Sequence, residues 1–350
     1  MRSQDFLQRH AETPFCEHYT AAGAVFSLAT NCDKLLAAAR GSFLPAEAAA
    51  GPADFSLRFW VDDDDAARPP WPKPHLRGLG HLVFVGLDAK SSMLVDLRNR
   101  RVIGRFSAAM AGDGRYWSTI IFPMLISILA GSLGIVELHA SCVARGQDGL
   151  VLIGPSRSGK STLALALMEA GFRLLSDDRI FCSLCSLTQD RVLAYGLPRP
   201  LKLRREAAAW FEEFRDREPI DVQNGETVFY CEPGWHFRKN ALAACEPKAI
   251  VFLDRQESLG FQLAPMKRSE IKSGIELELL AEDPSAVEKQ EKTLDNLLAL
   301  PCWRLRYGGR PQAIAEQLAA TFLNSSESSS SELSSFESNN VEYPCQGWTT

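Results

Sequence analysis

An α/β protein with a smaller β-rich N-terminal domain is the fold class this sequence predicts, and three observations carry it. Residues 151–180, "VLIGPSRSGKSTLALALMEAGFRLLSDDRI", run through an apolar strand, a glycine-rich loop, an apolar helix and a return strand. Two later runs, "KAIVFLD" (248–254) and "CWRLRYGG" (302–309), read as further core strands, with helical patterns around 266–280 and 285–299. Strands alternating with helices mark a sheet covered by helices. Ahead of residue 137 the pattern is different: short strands separated by tight turns. The expected division is 1–136, a β-rich domain closed by an apolar helix; 137–323, the α/β domain; and 324–350, a tail.

In the first part, "GAVFSLAT" (23–30) and "FSLRFWV" (55–61) read as strands, with "NCDKLLAAA" a short helix starting near Asn31. Asp62 to Asp65 and "AARPPWPKP" read as an exposed loop, since adjacent like charges repel and prolines remove donors. "GHLVFVGL", "SMLVDL" and "RVIGRFS" follow as a meander. Residues 118–136 carry no charge over 19 positions, close to the roughly 20 a membrane span needs. Pro123, Gly131, Gly134, three serines and the lack of a flanking Lys/Arg cluster make a buried helix the better reading.

Composition narrows the partners. At 46% apolar, 23% charged and a net charge of -5, no global basic field attracts nucleic acid or an anionic membrane. The nine cysteines are odd in number and scattered, and "MRSQDFLQRHAETPF" has no apolar signal region. Both point to a reducing cytoplasm. Cys182 and Cys185 form a lone C-x-x-C without a second pair for zinc, and read as small residues on a buried strand. The serine-rich, acidic run 324–340 has too little apolar surface to fold and is expected to be disordered.

Chemistry concentrates at 154–178. Gly154, Gly159, Lys160 and Ser161 complete G-x-x-x-x-G-K-[ST], the loop whose backbone N–H groups close on phosphate oxygens at a helix N-terminus. Pro155, Ser156, Arg157, Ser158 and Thr162 complete the cradle for a nucleotide, expected to be ATP. Lys160 would neutralise the β- and γ-phosphates and the Ser161 hydroxyl would ligate Mg²⁺. Asp177 and Asp178 stand only 17 and 18 residues after Lys160. A helix and a short return strand bring them back to the nucleotide's end of the sheet. There one carboxylate can hold the metal while the other accepts a proton from an attacking hydroxyl.

This segment resembles the catalytic domain of bacterial HPr kinase/phosphorylase, of the phosphoenolpyruvate-carboxykinase-like type, and more closely the HPr-kinase-related P-loop proteins of unknown substrate. The likeness spans about 137–322. It rests on His139 in "LHAS" 21 residues before Lys160, on "GLVLIG" before the loop, on "GFRLLSDD" after it, and on "LPRPLKL" (197–203). The resemblance implies Asp177 as the base that takes a seryl proton, Asp178 with Ser161 on the metal, and His139 beside the transferring phosphate. It also implies positive charge from Lys202 and Arg199. A glutamate before an Arg-Gly pair belongs to the bifunctional enzymes, whereas this chain reads "RVLAYGLPRPLKLRRE". Neither phosphorolysis nor HPr as substrate is therefore implied.

The extra stretch 206–247, with Arg238 and Lys239, is a candidate for acceptor selection. A protein or peptide is the expected partner, and the resemblance is compatible with a homo-oligomer. Three functions stay open on the sequence: a kinase of a protein or peptide serine, a kinase of a small molecule, and a nucleotide-sensing module without catalysis.

Overall fold

The computed structural model describes residues 12–46, 52–62, 68–185, 188, 190–197, 201–221, 226–231, 242–256, 260–272 and 283–326. Arg199, Arg238, Lys239 and aspartates 63–65 lie outside the described residues; of the tail expected over 324–350, residues 324–326 instead end the last helix and 327–350 lie outside the described residues.

The N-terminal part builds one sheet from β1 (Phe15–Ala21), β2 (Ala24–Thr30), β3 (Leu44–Pro45), β4 (Phe55–Asp62), β5 (His75–Leu79), β6 (Leu82–Gly86), β7 (Ser92–Asp96) and β8 (Arg101–Ser107). Their spatial order is β3-β1-β2-β4-β8-β7-β6-β5. The meander read from the sequence is β6-β7-β8, with β5 added at its open side. β2, β4 and β8 are mutually parallel, which requires a crossover. Helix α1 (Asp33–Ser42) supplies the first one, burying Leu35, Leu36, Ala38 and Ala39.

After β8 come the single turns α2 (Ala108–Ala111) and α3 (Gly114–Tyr116), a π-helical turn at Trp117–Ile121, and α4 (Phe122–Ser132). The uncharged run at 118–136 is thus mostly the π-helical turn and the short helix that continues from it, with Pro123 as that helix's second residue. Trp117 packs on Phe59, Phe106 and Phe122, so the run is apolar because protein surrounds it. Among the described residues no helix is long and apolar enough to cross a membrane.

The second part continues with β9 (Val136–Leu138), β10 (Ser141–Arg145), β11 (Asp148–Ile153), α5 (Lys160–Glu169), β12 (Arg173–Ser176), β13 (Ile180–Leu184) and β14 (Val192–Tyr195). Next are β15 (Leu201–Arg204), α6 (Arg205–Ala208), β16 (Ile220–Asp221), β17 (Thr227–Cys231), β18 (Ala244–Arg255), β19 (Phe261–Pro265), α7 (Arg268–Lys272), α8 (Pro284–Leu298), β20 (Cys302–Tyr307) and α9 (Pro311–Ser326). The large sheet runs β12-β10-β11-β18-β14-β13-β9, with β20 also beside β18 and β19 beside β20. Cys182 is buried on β13, as the sequence suggested, and Cys185 just beyond it is partly buried. Cys16, Cys32, Cys142, Cys182, Cys185, Cys245 and Cys302 are free thiols.

The stretch read as an insertion divides in two. Its last residues begin the twelve-residue core strand β18. From its earlier part, β16 and β17 form with β15 a three-stranded sheet ordered β15-β17-β16.

Helix α5 sits between layers. Leu163 to Leu167 are all buried, sharing one core with Val143, Leu150 and Leu152 of the large sheet, Leu201 and Leu203 of β15, and Ile314 and Leu318 of α9. A helix buried on every side has no polar stripe, and its Ala/Leu composition favours helix in any case. On the sheet's other face α8 contributes Leu294, Leu297 and Leu298. The N-terminal core is continuous with the second part through Phe181 and Leu197.

Candidate functional site

β11 points the chain at the loop. Gly154 has φ +148° and Gly159 φ +92°, and both positions are also closed to side chains. A Cβ on Gly159 would lie 2.3 Å from the Tyr307 hydroxyl, and one on Gly154 2.9 Å from the Leu253 carbonyl oxygen. Gly159 caps α5 in the left-handed conformation, so the N–H groups of the first helical turn face away from their own helix. Tyr307 locks the loop from below, donating to the Ser158 carbonyl at 2.6 Å. Pro155, Ser156 and Arg157 are exposed, Ser161 and Thr162 are partly buried, and Ser158 is buried with its hydroxyl unpartnered.

Lys160 is buried, and its ammonium donates to the carbonyls of Gly154 at 2.8 Å and Pro155 at 3.3 Å. The cation therefore already lies within the bowl of the loop.

The aspartates arrive by register. β10 is antiparallel to both β11 and β12, so β11 and β12 end at the same edge. Ser176 stands opposite Cys142, which leaves Ser141 alongside the next residue. Its hydroxyl donates to Asp177 Oδ1 at 2.7 Å. The Ser161 hydroxyl and the Lys202 backbone N–H donate to the same carboxylate. Burial raises the Asp177 pKa, outweighing the three donors, and the neighbouring Asp178 charge adds to the rise.

Asp178 turns outward with φ +79°, a backbone region unusual for anything but glycine. Its Oδ1 lies 3.6 Å from His139 Nε2, and both side chains are about half exposed. Arg179 anchors the turn from behind, donating to Glu137 at 2.6 Å and to the Ser127 hydroxyl at 3.0 Å.

The predicted residues thus meet at one edge: the loop 154–162, Asp177, Asp178 and His139. Lys202 meets them only through its backbone. Its ammonium bonds Glu226 at 3.1 Å, which Arg204 also engages. Three contributors escaped the sequence reading. Ser141 was visible in "LHAS", two residues after His139, yet nothing local told that its hydroxyl faces Asp177. Tyr307 and Gly196 carried no local signal. A Cβ at Gly196 would lie 2.0 Å from the Leu175 carbonyl oxygen, so its bare backbone lets the chain pass beneath β12.

The arrangement fits a magnesium–nucleotide. Left-handed glycines open a bowl of N–H donors, a buried cation faces it, and a hydroxyl and two carboxylates stand at its rim. Mg²⁺ commonly takes only one or two protein carboxylates, completing its shell with phosphates and water.

No protein-family model matches this chain, and no curated protein matches it. Among solved structures, the Hpr(Ser) kinase/phosphatase from Coxiella burnetii aligns with a TM-score of 0.29 and 12% identity, covering 54% of this chain and 98% of that one. Similarity at that level by itself determines neither fold nor activity.

Proposed function

We propose that this chain is a kinase that transfers the γ-phosphoryl group of ATP to a hydroxyl, with a serine of a protein or peptide as the acceptor. The observation that carries the reading is the convergence of the 154–161 loop and Asp177, joined by the Ser161 hydroxyl. Mg²⁺, held by Ser161 and one of the two aspartates, would offset the negative charge that develops on the transferring phosphoryl group.

In this reading the first-turn N–H groups of α5 bind phosphate oxygens. Lys160 exchanges its contacts with Gly154 and Pro155 for phosphate oxygens, and Ser161 turns its oxygen to the metal. Asp177 accepts the acceptor's proton, a task helped by a pKa that burial has raised. Asp178 supports the metal through water, and His139 tunes the proton transfer from beside it.

The Ser161–Asp177 hydrogen bond favours a second assignment, in which the aspartates exchange roles. Asp177 then belongs to the metal side, and the exposed Asp178, paired with His139, becomes the base. Substituting each by Asn separates the two. The metal-side variant should raise the Mg²⁺ concentration needed for half-maximal rate, and the base variant should lower the maximal rate at saturating Mg²⁺.

The activity itself is tested with γ-labelled ATP, the purified protein and lysate of the source organism, with Lys160→Ala and Asp177→Asn as controls. Label on one lysate protein, lost in both variants, identifies a protein kinase and its acceptor. Wild-type protein that binds ATP yet labels no protein points instead to a small-molecule acceptor or to nucleotide sensing.

A further inference from the structure

We infer that the outer face and open edge of the N-terminal sheet form a docking surface for an extended, acidic polypeptide segment that also carries apolar side chains. The inference goes beyond the phosphoryl-transfer reading and needs none of its residues.

Across β5, β6, β7, β8 and β4 the register places Arg77, Phe84, Leu94, Ile103 and Arg58 in one transverse row. Directly paired residues share a sheet face, and this one is exposed along the row, although Trp60, further along β4 on the same face, is buried. Phe84 is 49% exposed, Leu94 41% and Ile103 46%, and Leu79, on the same face, is 82% exposed. The opposite face holds Val85, Met93, Val95 and Val102, all buried. An apolar ladder three strands wide thus faces water on a sheet that already has its core.

Charge borders the ladder. Arg58, Arg77, Arg101 and Arg105 are exposed and lie on this face. Arg105 pairs with Asp62, and Asp96, the other carboxylate of this face, is engaged by Asn99. Arg58 and Arg77 form no ion pair with a described residue. Among the described residues the face is cationic around an apolar centre, and two such faces would repel one another.

The open edge selects the kind of occupant. β5 is the last strand of the order and every residue of it is exposed. Leu79 pairs with Leu82 across a two-residue turn. In the alternating antiparallel pattern, the N–H and C=O of Gly78 and Leu76 then point away from β6. Such an edge is a template for another strand. A membrane or a nucleic acid would use the arginines but would leave these backbone groups unmatched. A polypeptide segment can pair one stretch of its backbone with the edge and lay the next across the ladder toward Arg58, a course of about 24 Å that a dozen extended residues can span.

The test is a display library of random dodecapeptides selected against the full chain, with two variants as counter-selections. Gly78→Pro removes an edge N–H where an added Cβ meets nothing within 4 Å, a site at which an edge strand tolerates proline. Arg58→Glu combined with Arg77→Glu reverses the exposed charge and leaves the core untouched. Recovered peptides should be enriched in Asp and Glu alternating with apolar residues. They should bind either variant at least tenfold more weakly than wild type, while ATP binding stays unchanged. The inference fails if no peptide is enriched, if enriched peptides lack acidic bias, or if they bind wild type and both variants equally. It fails equally if phosphatidylserine vesicles or duplex DNA bind this face more tightly than any selected peptide.

Discussion

Asp177 is held by three donors and still has a raised pKa, so it penalises the folded state when ionised. The native carboxyl binds its proton more tightly than the unfolded one. Stability therefore falls as pH rises from the ordinary carboxylate range through the raised native value. Replacement by Asn should raise the melting temperature of the ligand-free protein at neutral pH, and the gain should shrink as pH falls through that window. The same replacement should reduce phosphoryl transfer by at least about a hundredfold, the lower range for removing an acid–base group. Calorimetry across pH beside a transfer assay checks both. Gly159→Ala combines a left-handed φ with a Cβ placed 2.3 Å from the Tyr307 hydroxyl and should destabilise by about 1–3 kcal/mol. Part of that loss should disappear in the Tyr307→Phe background, as urea unfolding of the double-mutant cycle would show. The glycines and the lysine were legible in the sequence because their spacing is itself the chemistry. Tyr307, almost 150 positions later, was not.

At the scale of elements, two joints hold the aspartate turn. Arg179 ties it to β9 through Glu137 and to α4 through Ser127. Arg179→Leu should cost about 1–3 kcal/mol, since it leaves a carboxylate without its charged donor, and should lower the transfer rate more than ATP affinity. The second joint is Gly196, whose missing Cβ lets the chain after β14 cross beneath β12. Gly196→Ala meets a backbone oxygen that cannot rotate away, so a loss of about 3 kcal/mol or more is expected in chemical unfolding. The strand–loop–helix–strand order from β11 to β12 was readable because loop and helix signals alternate at regular spacing. β1 and β5 escaped notice. β5 has no buried face and hence no alternation to detect, and the π-helical entry to α4 is set by how Trp117 packs among Phe59 and Phe106.

For the whole molecule, the test is linkage. A ligand that binds only the folded state adds about 2.7 kcal/mol of stability at a hundred times its dissociation constant. A non-hydrolysable ATP analogue with Mg²⁺ should therefore raise the melting temperature of the wild type, and far less that of Lys160→Ala. Phe181 and Leu197 join the N-terminal core to the second sheet, so the shift should appear in a single transition reporting both parts. Separate transitions, with only one responding, would contradict that continuity.

The sequence alone determined the α/β character, the glycine loop with its lysine, and the nearness of two aspartates, because each is written in local spacing and in the backbone demands of glycine. Tertiary structure alone decided that Ser141, Ser161 and the Lys202 N–H converge on Asp177, and that Lys202 turns its charge to Glu226. It also decided that an apolar ladder on the N-terminal sheet faces outward. Those outcomes depend on strand order and register, which pair residues tens to hundreds of positions apart and leave no trace in either neighbourhood.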